Sequence, residues 1–244
     1  MEVKRKTVYP DKIINQLNIN LMKKNVLILA PHPDDEVLGC GATIKKLSDE
    51  GNQLFVLVLT RGSSKFYSDE KILNVRNEAL QAHKLLGVKQ TFFLDFPAPE
   101  LDTVPLADIS REISKVLSDN KINVLYLPHR GDIHNDHRVV FNAGLVAARP
   151  VDAFTVTEIY AYETLSETEW AAPFCDDAFI PTYFVNVENT LITKMEAIKC
   201  FKSQLKSFPN PRSVETIEAL AKFRGATVGF KASEVFMVIR QIIQ

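Results

Sequence analysis

Val26-Leu27-Ile28-Leu29-Ala30 runs straight into Pro31-His32-Pro33-Asp34-Asp35-Glu36, and this junction decides how the chain is read. An unbroken apolar run stopped by proline has the length and composition of a strand buried on both faces, as in a parallel sheet. Open α/β sheets gather their functional residues where strands end at the carboxyl edge. Here the strand ends in a histidine and three acids. Imidazole nitrogen and carboxylate oxygen together suit a borderline cation such as zinc.

A second junction of the same kind lies far along the chain. Val124-Leu125-Tyr126-Leu127 is again a short apolar run, and after a loop comes Asp132-Ile133-His134-Asn135-Asp136-His137. Asp favours helix starts for backbone reasons alone, so one such cluster reads as an acidic helix cap. Two of them, holding three of the chain's five histidines behind two strand ends, do not.

Composition bounds the rest. A chain of 244 residues with 46% hydrophobic and 24% charged residues is long enough for one large α/β domain. A net charge of −1 leaves no basic footprint, which argues against a nucleic-acid partner. The longest apolar runs are strand-length, so no membrane span is expected. Cys40, Cys175 and Cys200 are odd in number and widely spaced, as in free thiols of a reducing compartment. With no apolar core behind the basic N-terminus, no secretory signal is expected, and the expected setting is the cytoplasm. A homo-oligomer is left open.

Strand-like and helix-like stretches alternate. Strands are expected at Val26–Ala30, Leu54–Thr60, Thr91–Leu94, Val124–Pro128, Val156–Tyr160 and Tyr183–Val187. Helical spacing falls at 37–50, 69–86, 106–117, 136–148, 189–206 and 214–224, with a last apolar segment at Val235–Ile239. This pattern predicts an α/β domain with a parallel sheet covered on both faces. Residues 1–22 read as an N-terminal extension and 23–244 as one domain. The irregular stretch 166–181 reads as a surface insertion rather than a lid. His83 reads as a surface or half-buried histidine, and Cys40 as a small buried thiol. Gly39 and Gly41 lack the third glycine of a dinucleotide fingerprint.

A catalytic zinc site holds three protein ligands and keeps one position open. His32 and Asp35, on one turn, with His137 from the second strand end, form the best such set. Asp34 is then the carboxylate free to take a proton from the activated water. His134, an imidazolium oriented by the Asp136 carboxylate, is left to stabilise an oxyanion or protonate a leaving amine.

Ala30-Pro31-His32-Pro33-Asp34-Asp35-Glu36, Leu38-Gly39-Cys40-Gly41 and His134-Asn135-Asp136-His137 closely resemble the motifs of the PIG-L/LmbE-like family of zinc-dependent N-acetylglucosaminyl deacetylases, over most of residues 24–150. The resemblance implies a Rossmann-like α/β fold, a three-layer sandwich with a mostly parallel sheet, and zinc at His32, Asp35 and His137, with iron(II) as the other metal to consider. It implies Asp34 as general base and His134 polarising the tetrahedral intermediate, with Asp136 orienting it. Thr60-Arg61-Gly62 is similar to a family segment whose arginine contacts a substrate hydroxyl or phosphate, which makes Arg61 the substrate-binding candidate. The expected activity is removal of acetyl from an N-acetylated amino sugar or its conjugate, whether nucleotide sugar, glycoside or antibiotic intermediate. The alternative is an inactive sugar-binding or scaffolding homologue, against which the intact Asp34 and His134 argue.

Overall fold

The computed structural model describes residues 23–151 and 156–243; the expected extension, 1–22, lies outside them. Seven strands form one sheet: β1 (Asn25–Ala30), β2 (Gln53–Gly62), β3 (Gln90–Ala98), β4 (Val124–Pro128), β5 (Glu158–Tyr162), β6 (Tyr183–Asn186) and β7 (Ser233–Gln241). Their order is β3-β2-β1-β4-β5-β7-β6. The first five are mutually parallel, and β7 runs antiparallel to both of its neighbours. Among the described residues six α-helices accompany them: α1 (Asp35–Asp49), α2 (Asp69–Leu86), α3 (Leu106–Asp119), α4 (Asn135–Ala147), α5 (Leu191–Ile198) and α6 (Val214–Ala226).

Strand β1 shows why this is a three-layer sandwich. Successive side chains of a strand face opposite sides. Val26, Ile28 and Ala30 join a core with Ala42 of α1, Ala79 of α2, Ile198 of α5 and Ile217 of α6. Leu27 and Leu29 join another with Ile109 and Ile113 of α3 and Val140 of α4. A strand apolar at every position is what two covered faces require. The chain steps from β1 to β2 and β3 on one side, then returns to lay β4 on the other. The carboxyl ends of β1 and β4 therefore flank the point where strand order reverses, the crevice in which open α/β sheets bind ligands.

One expectation changes. The stretch 189–206 is helical only over Leu191–Ile198; beyond it, Phe201 is fully buried and Leu205 packs on the same core from a series of turns. Its apolar spacing serves the core without a helix. Val235–Ile239 belongs to β7, which is inserted between β5 and β6. The glycines of α1 mark close packing, not a phosphate loop. A Cβ at Gly39 would collide with the ring of Tyr162, and one at Gly41 would come within 3.0 Å of the Lys194 side chain. There the buried Lys194–Glu234 pair (2.6 Å) grips the helix. Lys194 Nζ donates to the Leu38 carbonyl (2.7 Å), and the Glu234 carboxylate accepts from the amides of Ala42 and Thr43.

Candidate metal-dependent active site

Both expected clusters arrive together at the crevice. Asp34 caps α1 with φ 122°, a backbone region that non-glycine residues enter at a cost of about 1–3 kcal/mol and chiefly at functional sites. Its amide donates to Glu36 Oε2 (3.2 Å), and its carbonyl accepts from Val37 and Leu38. Glu36 thus supports the helix start. His83 does not stay near the surface: it is buried, with Nε2 2.7 Å from Glu36 Oε1 and Nδ1 2.8 Å from Thr91 Oγ1.

His32, Asp35 and His137 present one ligand atom each within 4.8 Å of one another. His32 Nδ1 and His137 Nε2 both stand 3.3 Å from Asp35 Oδ2. Two further observations fit this set to a cation. His137 Nε2 and Asp35 Oδ1 are buried without a hydrogen-bond partner, a costly arrangement unless something else engages them. The other nitrogen of each imidazole meets a buried carboxylate: His32 Nε2 lies 2.9 Å from Asp136 Oδ2, and His137 Nδ1 lies 2.8 Å from Asp132 Oδ2. An ionised carboxylate only accepts, so these nitrogens carry the protons and the inner ones are free to ligate.

The local field has the same sense. Burial pulls both imidazoles towards the neutral form, but the surrounding acids outweigh it. The hydrogen bonds to Asp136 and Asp35 push His32 up to about 9, and Asp35 and Asp132 push His137 up to about 10. Burial would raise the Asp35 carboxyl, yet His137 and His32 hold it well below the usual range. The pocket favours positive charge at its centre.

Asp136 differs from expectation. Its carboxylate is committed to His32 and to the Leu101 amide (3.1 Å), not to His134. What orients His134 is the Asp136 backbone amide, which donates to Nδ1 at 3.1 Å. His134 is the N-cap of α4, so its ring takes up one of the amides the first helical turn leaves free. That places the ring proton on Nε2. Burial, then the charge of His32, lowers His134 to about 4. It is a neutral hydrogen-bond donor, not the expected imidazolium.

Asp34 accepts from Arg212 Nη1 at 3.1 Å. Burial, the largest influence, raises its carboxyl to about 7 against the pull of Arg212. Glu167, 3.3 Å from Arg212 Nη2, is likewise raised to about 7, chiefly by burial. The stretch 166–181 is therefore no plain surface insertion. Thr168 Oγ1 donates to Asp132 Oδ1 (2.6 Å), and the Ile133 amide donates to the Glu167 carbonyl, which ties the segment to the second motif. Asp132, Glu167 and Arg212 were missed from sequence. Asp132 carried a signal, as an acid within the cluster; the other two lie in loops with no motif.

The site opens into a cleft of about 820 Å³ whose lining includes Asp34, Arg61, Arg76, His134, Glu167 and Arg212. Arg61 is ion-paired with the exposed Asp69. Arg76 bonds the Leu94 carbonyl and Asp95.

The sequence pattern of the PIG-L family, described as GlcNAc-PI de-N-acetylase, matches residues 27–148, half of the chain. The chain belongs to the PIG-L family. Among relatives of this PIG-L protein, the uncharacterised deacetylase YaiS of Escherichia coli K12 is 32% identical over 201 residues, covering 79% of this chain and 100% of that one. The diacetylchitobiose deacetylase of Thermococcus kodakarensis is 28% identical over 194 residues, 74% of this chain and 70% of that enzyme. In fold, the crystal structure of GalB, the 4-carboxy-2-hydroxymuconate hydratase of Pseudomonas putida KT2440, has a TM-score of 0.74 at 18% identity, over 91% of this chain and 98% of that one. PIG-L membership places this protein in a family of deacetylases; the likeness to GalB is one of fold alone.

Proposed function

We propose that this protein is a metal-dependent N-deacetylase that removes acetyl from an N-acetylated amino sugar or its conjugate. The observation that carries the reading is the pair of buried, partnerless ligand atoms, His137 Nε2 and Asp35 Oδ1, beside His32 Nδ1. The carboxylates of Asp132 and Asp136 back the two histidines. Zinc is the first candidate and iron(II) the second. An ion held by His32, Asp35 and His137 would supply Lewis-acid chemistry, polarising the acetamide carbonyl and lowering the pKa of a water to about 7.

The side chains do the rest. Asp34 takes the water's proton on the carboxylate oxygen that Arg212 leaves free. The water oxygen adds to the acetyl carbon, and His134 donates Nε2–H to the carbonyl oxygen as its charge develops. The C–N bond then breaks, Asp34 passes its proton to the leaving nitrogen, and acetate and a free amine depart. Asp136 and Asp132 act as positioning residues for His32 and His137. Arg61, at the cleft and tied among the described residues only to an exposed aspartate, is assigned to a sugar hydroxyl or phosphate. The unpaired cysteines support a cytoplasmic setting.

The test is release of acetate and free amine from diacetylchitobiose, N-acetylglucosamine glycosides and nucleotide sugars, before and after chelation and with zinc or iron(II) restored. Metal-dependent release from one of these is expected. A fully metal-loaded protein silent towards them all would overturn the reading, and with it any assignment beyond family and fold.

A further inference from the structure

We infer that Arg212 is the positioning residue of the general base, holding the Asp34 carboxylate at the cleft; the inference rests on the reaction proposed above. The guanidinium is largely buried and makes three directed contacts. Nε donates to Ser166 Oγ (2.7 Å), Nη1 to Asp34 Oδ2 (3.1 Å) and Nη2 to Glu167 Oε1 (3.3 Å). Three acceptors around one rigid plane fix both position and tilt, which a lysine ammonium, a point charge on a flexible stem, cannot reproduce.

The scaffold behind Arg212 is itself tied. Its amide donates to Asn210 Oδ1 (2.9 Å), its carbonyl accepts from the Lys206 amide, and Ser213 caps α6 through the Thr216 amide. Ser166 sits at φ 72° with its amide on Glu169 Oε1. Asp34 needs such a hold. Among the described residues its carboxylate has no other hydrogen-bond partner, while Asp35 and Glu36 follow it directly in the chain and are buried beside it. Like charges in a buried site repel, so without Arg212 the carboxylate has every reason to rotate away from its neighbours towards solvent. One oxygen pinned by Nη1 leaves the other for the water. Arg212 and both of its other partners lie beyond the family-matched residues 27–148.

The experiment compares metal-loaded wild type with Arg212→Ala, Arg212→Lys and Ser166→Ala. Misplacing a reacting group by about 1 Å can cost roughly a hundredfold. The kcat per bound ion of Arg212→Ala should therefore fall about a hundredfold, with metal content and KM little changed, and lysine should restore little. Millimolar guanidinium ion should return part of the rate to Arg212→Ala and none to Asp34→Asn. A kcat within about threefold of wild type, or a fall that guanidinium leaves untouched, would overturn the inference. Should the arginine variants not fold, Ser166→Ala must lower kcat several-fold at constant KM, and an unchanged kcat overturns it equally. A wild type that releases no acetate condemns the deacetylase reading instead. The inference is then decided by crystal structures of wild type and Arg212→Ala: an Asp34 carboxylate turned from its wild-type place upholds it, and superimposed carboxylates overturn it.

Discussion

One wall of the site is built from residues that sit within a few positions of the ends of β1 and β4; the other is built from Ser166, Glu167 and Arg212, which hang in loops after β5 and before α6. The first wall carries the proposed metal set, its two histidines each braced from within by a buried aspartate. The second holds none of that set and reaches the site in two places, Asp34 through Arg212 and Asp132 through Thr168. The difference teaches a division of labour. In the proposed reaction, strand ends at a topological switch supply the metal set, while loops from elsewhere hold the general base.

The sharpest way to break this division is Asp34→Asn, where the two walls meet. The amide keeps the shape but cannot take a proton, so turnover should fall about a hundred- to ten-thousandfold while metal content stays at wild-type level. Loss of metal in this variant would move Asp34 into the first wall as a ligand. His134→Ala comes next. Removing one donor to a developing oxyanion costs about a hundred- to thousandfold in kcat, with KM nearly unmoved, because that charge exists only near the transition state. Steady-state kinetics per bound ion would show it.

The first wall can be sharpened without substrate. His32 and His137 are raised to about 9 and about 10, so at pH 7 the metal-free protein holds protons that a cation must displace. Metal affinity should rise with pH from 6 to 9 and weaken towards acid, by about tenfold per pH unit for each proton released. Calorimetry in buffers of different ionisation enthalpy counts those protons, and an affinity flat across this range would contradict the assignment of the two histidines. Asp132→Asn should cost about ten- to a hundredfold in metal affinity through His137. Thr168→Ala, which reaches the same carboxylate from the second wall, should cost less. Equal losses in these two variants would erase the distinction between the walls.

Much of the first wall is legible in one dimension because its geometry is short-range. A continuous apolar run must be a strand covered on both faces, and the residues after its end must lie at the sheet's edge. His32, Asp34, Asp35, His134 and His137 follow from that reasoning. It goes wrong where one side chain has two places to go. Asp136 was read as the orienter of His134, yet the helix start turns its carboxylate towards His32 and leaves the task to its backbone amide. His83, between Ala82 and Lys84, looks half-exposed until Glu36 is folded against it.

What the sequence by itself determined is the alternation of strands and helices, the two-faced core and the identity of the groups at two strand ends, because periodicity and chain proximity are local properties. What only the tertiary structure decided is the insertion of an antiparallel β7, the termination of α5 at Ile198 and the arrival of Arg212 on Asp34. Those depend on which distant segments share a buried volume. There a buried charge must find its partner wherever the fold brings one, and the order of residues along the chain does not record where that is.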